Sequence, residues 1–398
     1  MHLARRAISK GRCDGTAVPQ KHILCGGHAA ERLLTHFTRA RYVANAGGTR
    51  DYRAQQEEDG VNWKKLRLLA ALAALLEVAI ADAAAINMRV FEINDHLLSF
   101  YDGRPAETAT PAGKQNWADF GAMNVGVATY VIHRGDRALV YDTYPSTQRA
   151  RWVREYLVKI GIRHFTVVNS HWHLDHVGGN AIYADVDRIS THKTFQRLTA
   201  KKDAIEAGAE WGPPAINPLV LPNITISADT SYFVEDIKVE LRPVNIHSED
   251  GLVVYLPNDR ILLAGDTLED TLTFIVEPEQ IPAQIENLQK MRRWDIDRIF
   301  PNHGNPAVIA NGGYRTTLID ATLDYLHRMV AHAHDPDYLR GSMEDYVHDS
   351  VSKGWVTPWW AYREAHQANL TVVAKAYKNR RLPDLSDAPA PDVQPATP

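Results

Sequence analysis

Alternating apolar and polar positions predict β-strands through the middle of the chain. Two strands are predicted after Met88, and between residues 125 and 131 apolar side chains recur at every second position, as in a half-buried strand. The turn at residues 134–136 leads into an apolar run over 138–142, which predicts a hairpin. Further apolar runs predict strands at residues 165–169, 188–190, 237–241, 252–256 and 261–264.

Helical periodicity alternates with these strands. Ser146 is a suitable N-cap for a helix that runs through residues 151–160, and Gly161 is expected to end it. Longer amphipathic stretches predict helices at residues 193–207, 283–294 and 316–331. Strands in the interior with helices outside indicate an α/β fold whose packed sheets are covered on both faces.

Two connections between these elements are long and irregular. Residues 210–221 contain one glycine and three prolines, and residues 103–124 end with Trp117 and Phe120. Long loops in compact domains frequently form lids or binding surfaces. Trp117 and Phe120 therefore either cover a substrate or fasten their loop to the core, and the sequence leaves both interpretations open.

The polar residues that follow the run at 165–169 carry the clearest chemistry. They form an H-x-H-x-D-H pattern of His171, His173, Asp175 and His176. Alternate side chains of an extended segment point the same way, so His171 and His173 are able to bind one cation. Asp175 and His176 lie beyond them and reach a second cation. Four ligands exceed what one open site needs, so we expect two metal ions that activate a hydroxide.

Three more ligand-type residues follow apolar runs further along the chain: His247, Asp266 and His303. A single histidine after a strand is more often structural than functional. Together, in this order and each at a predicted strand end, the three residues complete a ligand set for two metal ions.

With these motifs the chain resembles the metallo-β-lactamase superfamily over residues 86–330. The resemblance implies an α/β fold with a four-layer αββα sandwich. It also implies that the first metal ion is bound by His171, His173 and His247. The second would be bound by Asp175, His176 and His303, with Asp266 as the bridging ligand.

The branch within the superfamily is suggested by two departures from the true β-lactamases. Those enzymes carry Cys at the position of Asp266 and Arg at the position of His176, so this chain is more similar to glyoxalase II and lactonases. Residues 247–257 nevertheless resemble the β-lactamase segment, and the C-terminal basic residues of glyoxalase II have no match. Asp142 matches an early strand-end aspartate of the superfamily. It either orients a ligand histidine from the second shell or simply ends its strand.

The expected activity is hydrolysis by a dinuclear metal centre. Two Zn²⁺ ions per chain are expected, and iron or manganese suits the same nitrogen and oxygen ligands. A metal-bridging hydroxide would attack an ester, thioester, lactone or amide of a small molecule, with Asp175 as the catalytic proton shuttle. The open alternatives are a β-lactamase-like antibiotic hydrolase, an iron-dependent sulfur dioxygenase or diiron oxidoreductase, and a non-catalytic metal-binding scaffold.

Composition argues against nucleic acid as a partner. The chain has 398 residues with 44 basic and 48 acidic side chains. The first 60 residues hold 10 basic and 6 acidic side chains, which leaves 34 basic and 42 acidic in the remainder. Because an acidic body repels polyanions, we expect a small-molecule substrate. The oligomeric state stays open.

Residues 61–85 have the pattern of a signal peptide. Lys64, Lys65 and Arg67 precede an apolar run at 68–76, and residues 81–85 satisfy the small-x-small cleavage rule. This pattern predicts a periplasmic or secreted protein that has no stable membrane insertion after cleavage. The alternative is a membrane anchor formed by an uncleaved segment at residues 68–86.

A signal peptide belongs at the start of a protein. We therefore expect the native start near Val61, with residues 1–60 as a non-native extension that contains Cys13 and Cys25, both cysteines of the chain.

The other end is predicted to be a helical extension over residues 331–383. Its aromatic cluster, which includes Trp355, Trp359, Trp360 and Tyr362, serves packing, a dimer contact or a pocket wall. Residues 384–398 are rich in Pro, Ala and Asp and predict a disordered tail.

Overall fold

The structure is a computed structural model that describes residues 86–107 and 116–378. The predicted N-terminal extension at 1–60, the signal peptide at 61–85 and the tail at 384–398 lie outside the described residues and stay predictions. Within the described ranges, no helix is both long enough and apolar enough to cross a membrane.

Twelve strands are present among the described residues, and they form two sheets. They are β1 (Arg89–Asn94), β2 (Leu97–Asp102), β3 (Val127–Arg134), β4 (Arg137–Tyr141), β5 (His164–Val168), β6 (Asp187–Thr191), β7 (Ile224–Ile226), β8 (Thr230–Val234), β9 (Ile237–Ile246), β10 (Ser248–Leu256), β11 (Ile261–Gly265) and β12 (Arg298–Pro301). The first sheet has the order β1-β2-β3-β4-β5-β6-β7, and the second has the order β12-β11-β10-β9-β8. The pairs β4–β5, β5–β6, β6–β7 and β11–β12 are parallel.

The helices predicted at residues 151–160, 193–207, 283–294 and 316–331 are present, and the described residues form eight α-helices of four or more residues. They are α1 (Thr147–Lys159), α2 (Leu174–Val177), α3 (His192–Glu206), α4 (Ile281–Met291), α5 (Pro306–Ala310), α6 (Thr317–Ala331), α7 (Met343–Ser352) and α8 (Tyr362–Tyr377). Short helical turns occur at Trp117–Ala122, Met123–Val125, Asn180–Tyr183, Pro278–Gln280 and Tyr338–Arg340. The Ser146 side chain caps α1 by accepting the Arg149 N–H, and Gly161 follows the helix end with φ +106°. Ser146 and Gly161 thus delimit α1 as predicted.

Strand β3 shows how the layers are arranged. Tyr130 and Ile132 belong to the hydrophobic core between the two sheets, whereas Val127 and Val131 belong to the core beneath α1. The first six residues of β3 are all buried, so the prediction of a half-buried strand is wrong. The alternation along this segment separates two cores, because both faces of the sheet are covered.

Helix α4 packs against β9 on the outer side of the second sheet. The layers are therefore helix, sheet, sheet and helix, which confirms the predicted αββα sandwich. Helices α6, α7 and α8 contribute to the same large core, so the predicted C-terminal helical region is present.

The two irregular connections differ from each other. Residues 210–221 form no helix or strand, as predicted. The prediction for residues 103–124 is wrong in part, because Trp117–Ala122 and the Met123–Val125 turn are helical. Asn116 caps the first of these turns by accepting the Asp119 N–H, an interaction that apolar periodicity does not predict.

Candidate metal centre

The predicted ligands are carried by the C-terminal ends of strands in both sheets. The H-x-H-x-D-H run follows β5, and His247, Asp266 and His303 follow β9, β11 and β12. Backbone hydrogen bonds join these ends across the sheets, for example from Leu252 N–H to the Ser170 carbonyl at 2.7 Å. Residues far apart in sequence therefore meet at one edge of the sandwich.

The structure brings all seven predicted ligands together in two groups. Within each group, one potential ligand atom from every residue lies within 4.8 Å of the others, and every residue is buried. The first group contains His171, His173, His247 and Asp266, and the second contains Asp175, His176, Asp266 and His303.

The Oδ2 atom of Asp266 lies at the centre of both groups. It is 2.9 Å from His176 Nε2 and 3.3 Å from His303 Nε2 in the second group. It is 3.7 Å from His171 Nε2 and 3.8 Å from His247 Nε2 in the first group. A carboxylate that is shared by both groups in this way lies where a ligand bridging two cations would lie.

Unpaired buried atoms show that the residues fit a metal pair. His171 Nε2 and Asp266 Oδ1 are buried and have no hydrogen-bond partner within the described residues. His247 Nε2 lies only 3.1 Å from His173 Nδ1, so two ring nitrogens face the same point. Buried polar atoms are normally paired, and a divalent cation would satisfy all of these. The imidazole and carboxylate donors suit first-row divalent metals.

The ring nitrogens of His171 and His303 that face away from the two groups each lie close to an oxygen, whereas the outward nitrogens of His173 and His247 have no partner within the described residues. His171 Nδ1 lies 2.8 Å from Ser170 Oγ, and His303 Nδ1 lies 2.6 Å from the Gly126 carbonyl. Such contacts fix the tautomer and the ring orientation of a ligand histidine. Ser170 and Gly126 were not predicted from the sequence, although Ser170 directly precedes the H-x-H-x-D-H run at residues 171–176, called the metal loop below.

The Asp142 carboxylate orients His176. Its Oδ2 lies 2.9 Å from His176 Nδ1 and accepts a hydrogen bond from Asn302 Nδ2 at 2.6 Å, while its Oδ1 accepts the Ser170 N–H at 2.7 Å. Asp142 has φ +68°, a region that Asp and Asn tolerate better than most residues. Of the two predicted roles, the contact with a ligand histidine is present.

Charges divide the site into two halves. Burial lowers the pKa values of His171, His173 and His247, and neighbouring histidines add to the effect. Burial acts the same way on His176 and His303, but the neighbouring carboxylates, chiefly Asp266 and Asp175, together outweigh it and raise their pKa values well above the ordinary range. Without a metal, the histidines of the second group therefore hold protons more tightly than those of the first.

Asp250 holds the metal loop in place through hydrogen bonds. Its Oδ2 accepts the Trp172 N–H at 3.0 Å and the Thr194 hydroxyl at 2.8 Å. The Thr194 hydroxyl belongs to α3, so this helix and the metal loop are joined through one buried carboxylate. Sequence reasoning missed Asp250, whose only signal is its place three residues after His247.

The two irregular connections meet beside the first group. The Trp211 ring lies 5.1 Å from the His173 ring and 5.9 Å from the Trp117 ring, and Trp117 Nε1 donates to the Pro214 carbonyl at 3.0 Å. Trp117, Trp211 and Phe120 are all half-buried. Trp117 thus fastens its loop to the other connection and keeps part of its ring exposed.

Glu269 is a buried acidic residue that the sequence did not single out. Burial, together with the nearby Asp266 carboxylate, raises its pKa to about 8. Its Oε1 accepts the Phe274 N–H at 2.9 Å, and its Oε2 accepts the Tyr362 hydroxyl at 3.0 Å. The segment after β11 is thereby tied to α8.

The C-terminal aromatic cluster packs against the segment before β3. Trp359 Nε1 donates to the Asn124 carbonyl at 2.6 Å, and Trp360 Nε1 donates to the Pro105 carbonyl at 3.3 Å. These contacts favour the packing interpretation for this cluster.

Comparisons with known proteins agree with this architecture. The family model described as "Metallo-beta-lactamase superfamily" matches residues 123–303. The chain is 26% identical over 212 residues to the 2,4-dinitroanisole O-demethylase subunit alpha of a Nocardioides species, which covers 51% of this chain and 59% of that protein. It is 24% identical over 255 residues to the beta-lactamase-like protein 2 homolog of Caenorhabditis elegans. This match covers 63% of this chain and 78% of that protein.

The chain therefore spans less than two thirds of the first of these relatives. A metallo-beta-lactamase from Pontibacter korlensis is among the similar solved structures. It has 18% identity and a TM-score of 0.47, and the match covers 61% of this chain and 99% of that one.

The matched residues contain six of the seven converging side chains in their interior and end at the seventh, His303. They also span strands of both sheets. Assignment to the glyoxalase II and lactonase branches stays a prediction. Residues 123–303 of the chain match the metallo-beta-lactamase superfamily.

Proposed function

We propose that the protein is a metal-dependent hydrolase that cleaves an ester, thioester, lactone or amide bond of a small molecule. The observation that carries this proposal is the convergence of seven buried ligand-type side chains around Asp266 Oδ2. A non-catalytic scaffold would have no need of two complete and adjacent groups.

Each group would hold one cation. The first cation would be bound by His171, His173 and His247, the second by Asp175, His176 and His303, and Asp266 would contact both. When bound, two divalent ions supply a water nucleophile of lowered pKa and polarise the scissile bond. We propose zinc as the native metal, and the donor atoms are also compatible with iron or manganese.

Asp175 is proposed to move the proton. Its Oδ2 lies 3.2 Å from His303 Nε2, and its Oδ1 lies 3.6 Å from His176 Nε2. Burial would raise the pKa of this carboxyl, but His176 and His303 outweigh burial and lower it. An ionised carboxylate at this position can accept a proton from the attacking water and deliver it to the leaving group.

A substrate screen tests the hydrolase proposal. Zinc-loaded protein would be assayed against β-lactams, homoserine lactones, glutathione thioesters and phosphodiesters. We expect turnover of one class, loss of activity with a chelator and recovery on adding metal. Asp175→Ala should abolish turnover with an unchanged circular dichroism spectrum, whereas Asp229→Ala, an exposed aspartate before β8, should retain it. Retained activity in Asp175→Ala would exclude the proposed role.

Metal analysis separates hydrolysis from oxidation on this scaffold. We expect zinc in protein purified from cells without added metal. Iron in the purified protein together with substrate-dependent oxygen consumption would overturn the hydrolase proposal in favour of a dioxygenase or diiron oxidoreductase.

We also propose that the protein acts outside the cytoplasm, on the strength of the basic and apolar pattern at residues 61–85. N-terminal sequencing of the native protein tests this. We expect a mature N-terminus near residue 86, and recovery of peptides from residues 1–60 would contradict it.

A further inference from the structure

Two ligand histidines of the first group have no orienting hydrogen bond within the described residues, because His173 Nε2 and His247 Nδ1 are buried without a partner. For His247, a carboxyl group lies near that nitrogen. His247 directs Nε2 into the first group, where it lies 3.1 Å from His173 Nδ1. Its other ring nitrogen, Nδ1, is buried and has no hydrogen-bond partner within the described residues. If Nε2 binds a cation, Nδ1 must carry the ring proton, and this buried N–H needs an acceptor.

Glu269 Oε1 lies 3.6 Å from His247 Nδ1. An N–H···O hydrogen bond spans about 2.7–3.2 Å, so a shift of less than about 1 Å would form one. Both side chains are only 3% exposed, so bulk solvent does not reach this N–H. The other histidines whose Nε2 approaches Asp266 already have an oxygen at Nδ1, supplied by Ser170, Asp142 and Gly126.

The backbone at His247 gives a further reason why its ring needs support. His247 has φ +60°, and the ladder between β9 and β10 is irregular just after it. Regular strand pairing therefore does not set the direction of this side chain.

The Glu269 carboxylate is itself held from two sides. The Phe274 N–H donates to Oε1 and the Tyr362 hydroxyl donates to Oε2, so the orientation of the carboxyl group is set before a metal binds. Tyr362 lies in α8 and is 1% exposed. The C-terminal helical region thus reaches the ligands of the first group through two buried side chains.

We propose that Glu269 is the positioning residue of His247, accepting its Nδ1 proton when Nε2 binds a metal ion, and that Tyr362 of α8 fixes the Glu269 carboxylate for this role. The inference rests on the proposed metal-dependent function. It assigns the C-terminal helices a part in assembling the first metal site.

Cobalt titration of the full chain, with a competing chelator, tests the proposal without measuring catalysis. Glu269→Ala should weaken binding at the first site by about 10–100-fold and leave the second site unchanged. Glu269→Gln keeps an acceptor oxygen and should lose less. The matched control is Glu277→Ala, which removes another buried carboxylate that accepts the Glu249 N–H and pairs with Arg197 without contacting a ligand histidine. This control should bind cobalt like the wild type.

Proton NMR of the cobalt-loaded protein adds a signature that a purely structural role would not change. The Nδ1 proton of His247 should give a shifted, exchangeable resonance in wild type and Glu277→Ala, and this resonance should be lost in Glu269→Ala. If Glu269→Ala does not fold, Tyr362→Phe removes only one hydroxyl and should weaken the first site in the same direction.

Unchanged cobalt affinity in Glu269→Ala, or an equal loss in Glu277→Ala, would overturn the role of Glu269 while leaving the hydrolase proposal intact. If Glu269→Ala does not fold, unchanged affinity in Tyr362→Phe would overturn it in the same way. Absence of cobalt binding by the wild type would overturn the proposed function itself.

Discussion

Asp142 shows at the scale of one residue how an acceptor controls a ligand. Its Oδ2 faces both His176 Nδ1 and Asn302 Nδ2. Asp142→Asn would place an amide N–H against these donors, yet Asn tolerates the same backbone conformation. We expect binding of the second metal ion to weaken by about 10–100-fold, with the first ion retained.

Inductively coupled plasma mass spectrometry after dialysis would measure this change as a fall towards one metal ion per chain. Asp136→Asn, in the exposed turn before β4, is the control and should keep both ions. Two tightly held ions in Asp142→Asn would show that His176 needs no such partner.

Protons should compete with metal for the same side chains. Because Asp266 and Asp175 raise the pKa values of His176 and His303, these rings hold protons more tightly in the metal-free protein than an ordinary histidine does. A metal must displace the protons, so its affinity should rise as pH increases from 6 to 8. Titration calorimetry in buffers of different ionisation enthalpy would measure the released protons. Affinity that is independent of pH would contradict these shifts.

At the scale of one element, α8 fastens the segment that follows β11. Asn369 accepts the Ile275 N–H at 2.7 Å and donates to the Thr273 carbonyl at 2.9 Å and the Tyr325 hydroxyl at 3.0 Å. Asn369→Ala would leave the Ile275 N–H and the Thr273 carbonyl unpaired, whereas the Tyr325 hydroxyl would keep His366 Nδ1 as a partner at 2.9 Å. Each unpaired group costs about 1–3 kcal/mol, so we expect the free energy of unfolding to fall by at least that amount.

Urea denaturation would measure the loss. Gln367→Ala changes an exposed residue of the same helix and should alter stability little. Similar stabilities for the two variants would mean that α8 is not coupled to this segment.

Strand β3 illustrates at the same scale what periodicity can and cannot tell. The alternation of residues 125–131 correctly predicts a strand, because side chains alternate along any extended backbone. Whether the face of β3 that turns away from the second sheet meets solvent or another layer depends on α1, which lies outside the strand. The helical turn at Trp117–Ala122 was missed because a cap and local contacts, rather than apolar spacing, define it.

For the whole molecule, metal binding should add to stability. Ions that bind only the folded chain stabilise it by about 2.7 kcal/mol when free metal exceeds the dissociation constant 100-fold. We expect a chelator to lower the Tm while the extensive cores keep the unfolding transition cooperative. Differential scanning calorimetry would test this, with Asp266→Ala as a control that should lose most of the shift. An identical Tm with and without metal would argue against binding in the folded state.

Local order along the chain was enough to predict most of the strands and the candidate ligands, whereas the αββα architecture followed from the resemblance. The H-x-H-x-D-H spacing, the ligand residues at strand ends and the Ser146 cap all depend on geometry within a few residues. Long-range convergence of His247, Asp266 and His303 followed from the resemblance, and the structure supplied their distances.

Only the tertiary structure decided the surroundings of the site. Glu269 and Tyr362 are 93 residues apart in the chain, and Trp211 reaches His173 from a separate connection. Such contacts depend on how the helices and sheets pack against each other. A local sequence pattern does not encode this packing. The sequence by itself therefore determined which side chains are available as ligands, and tertiary packing decided which buried groups orient them.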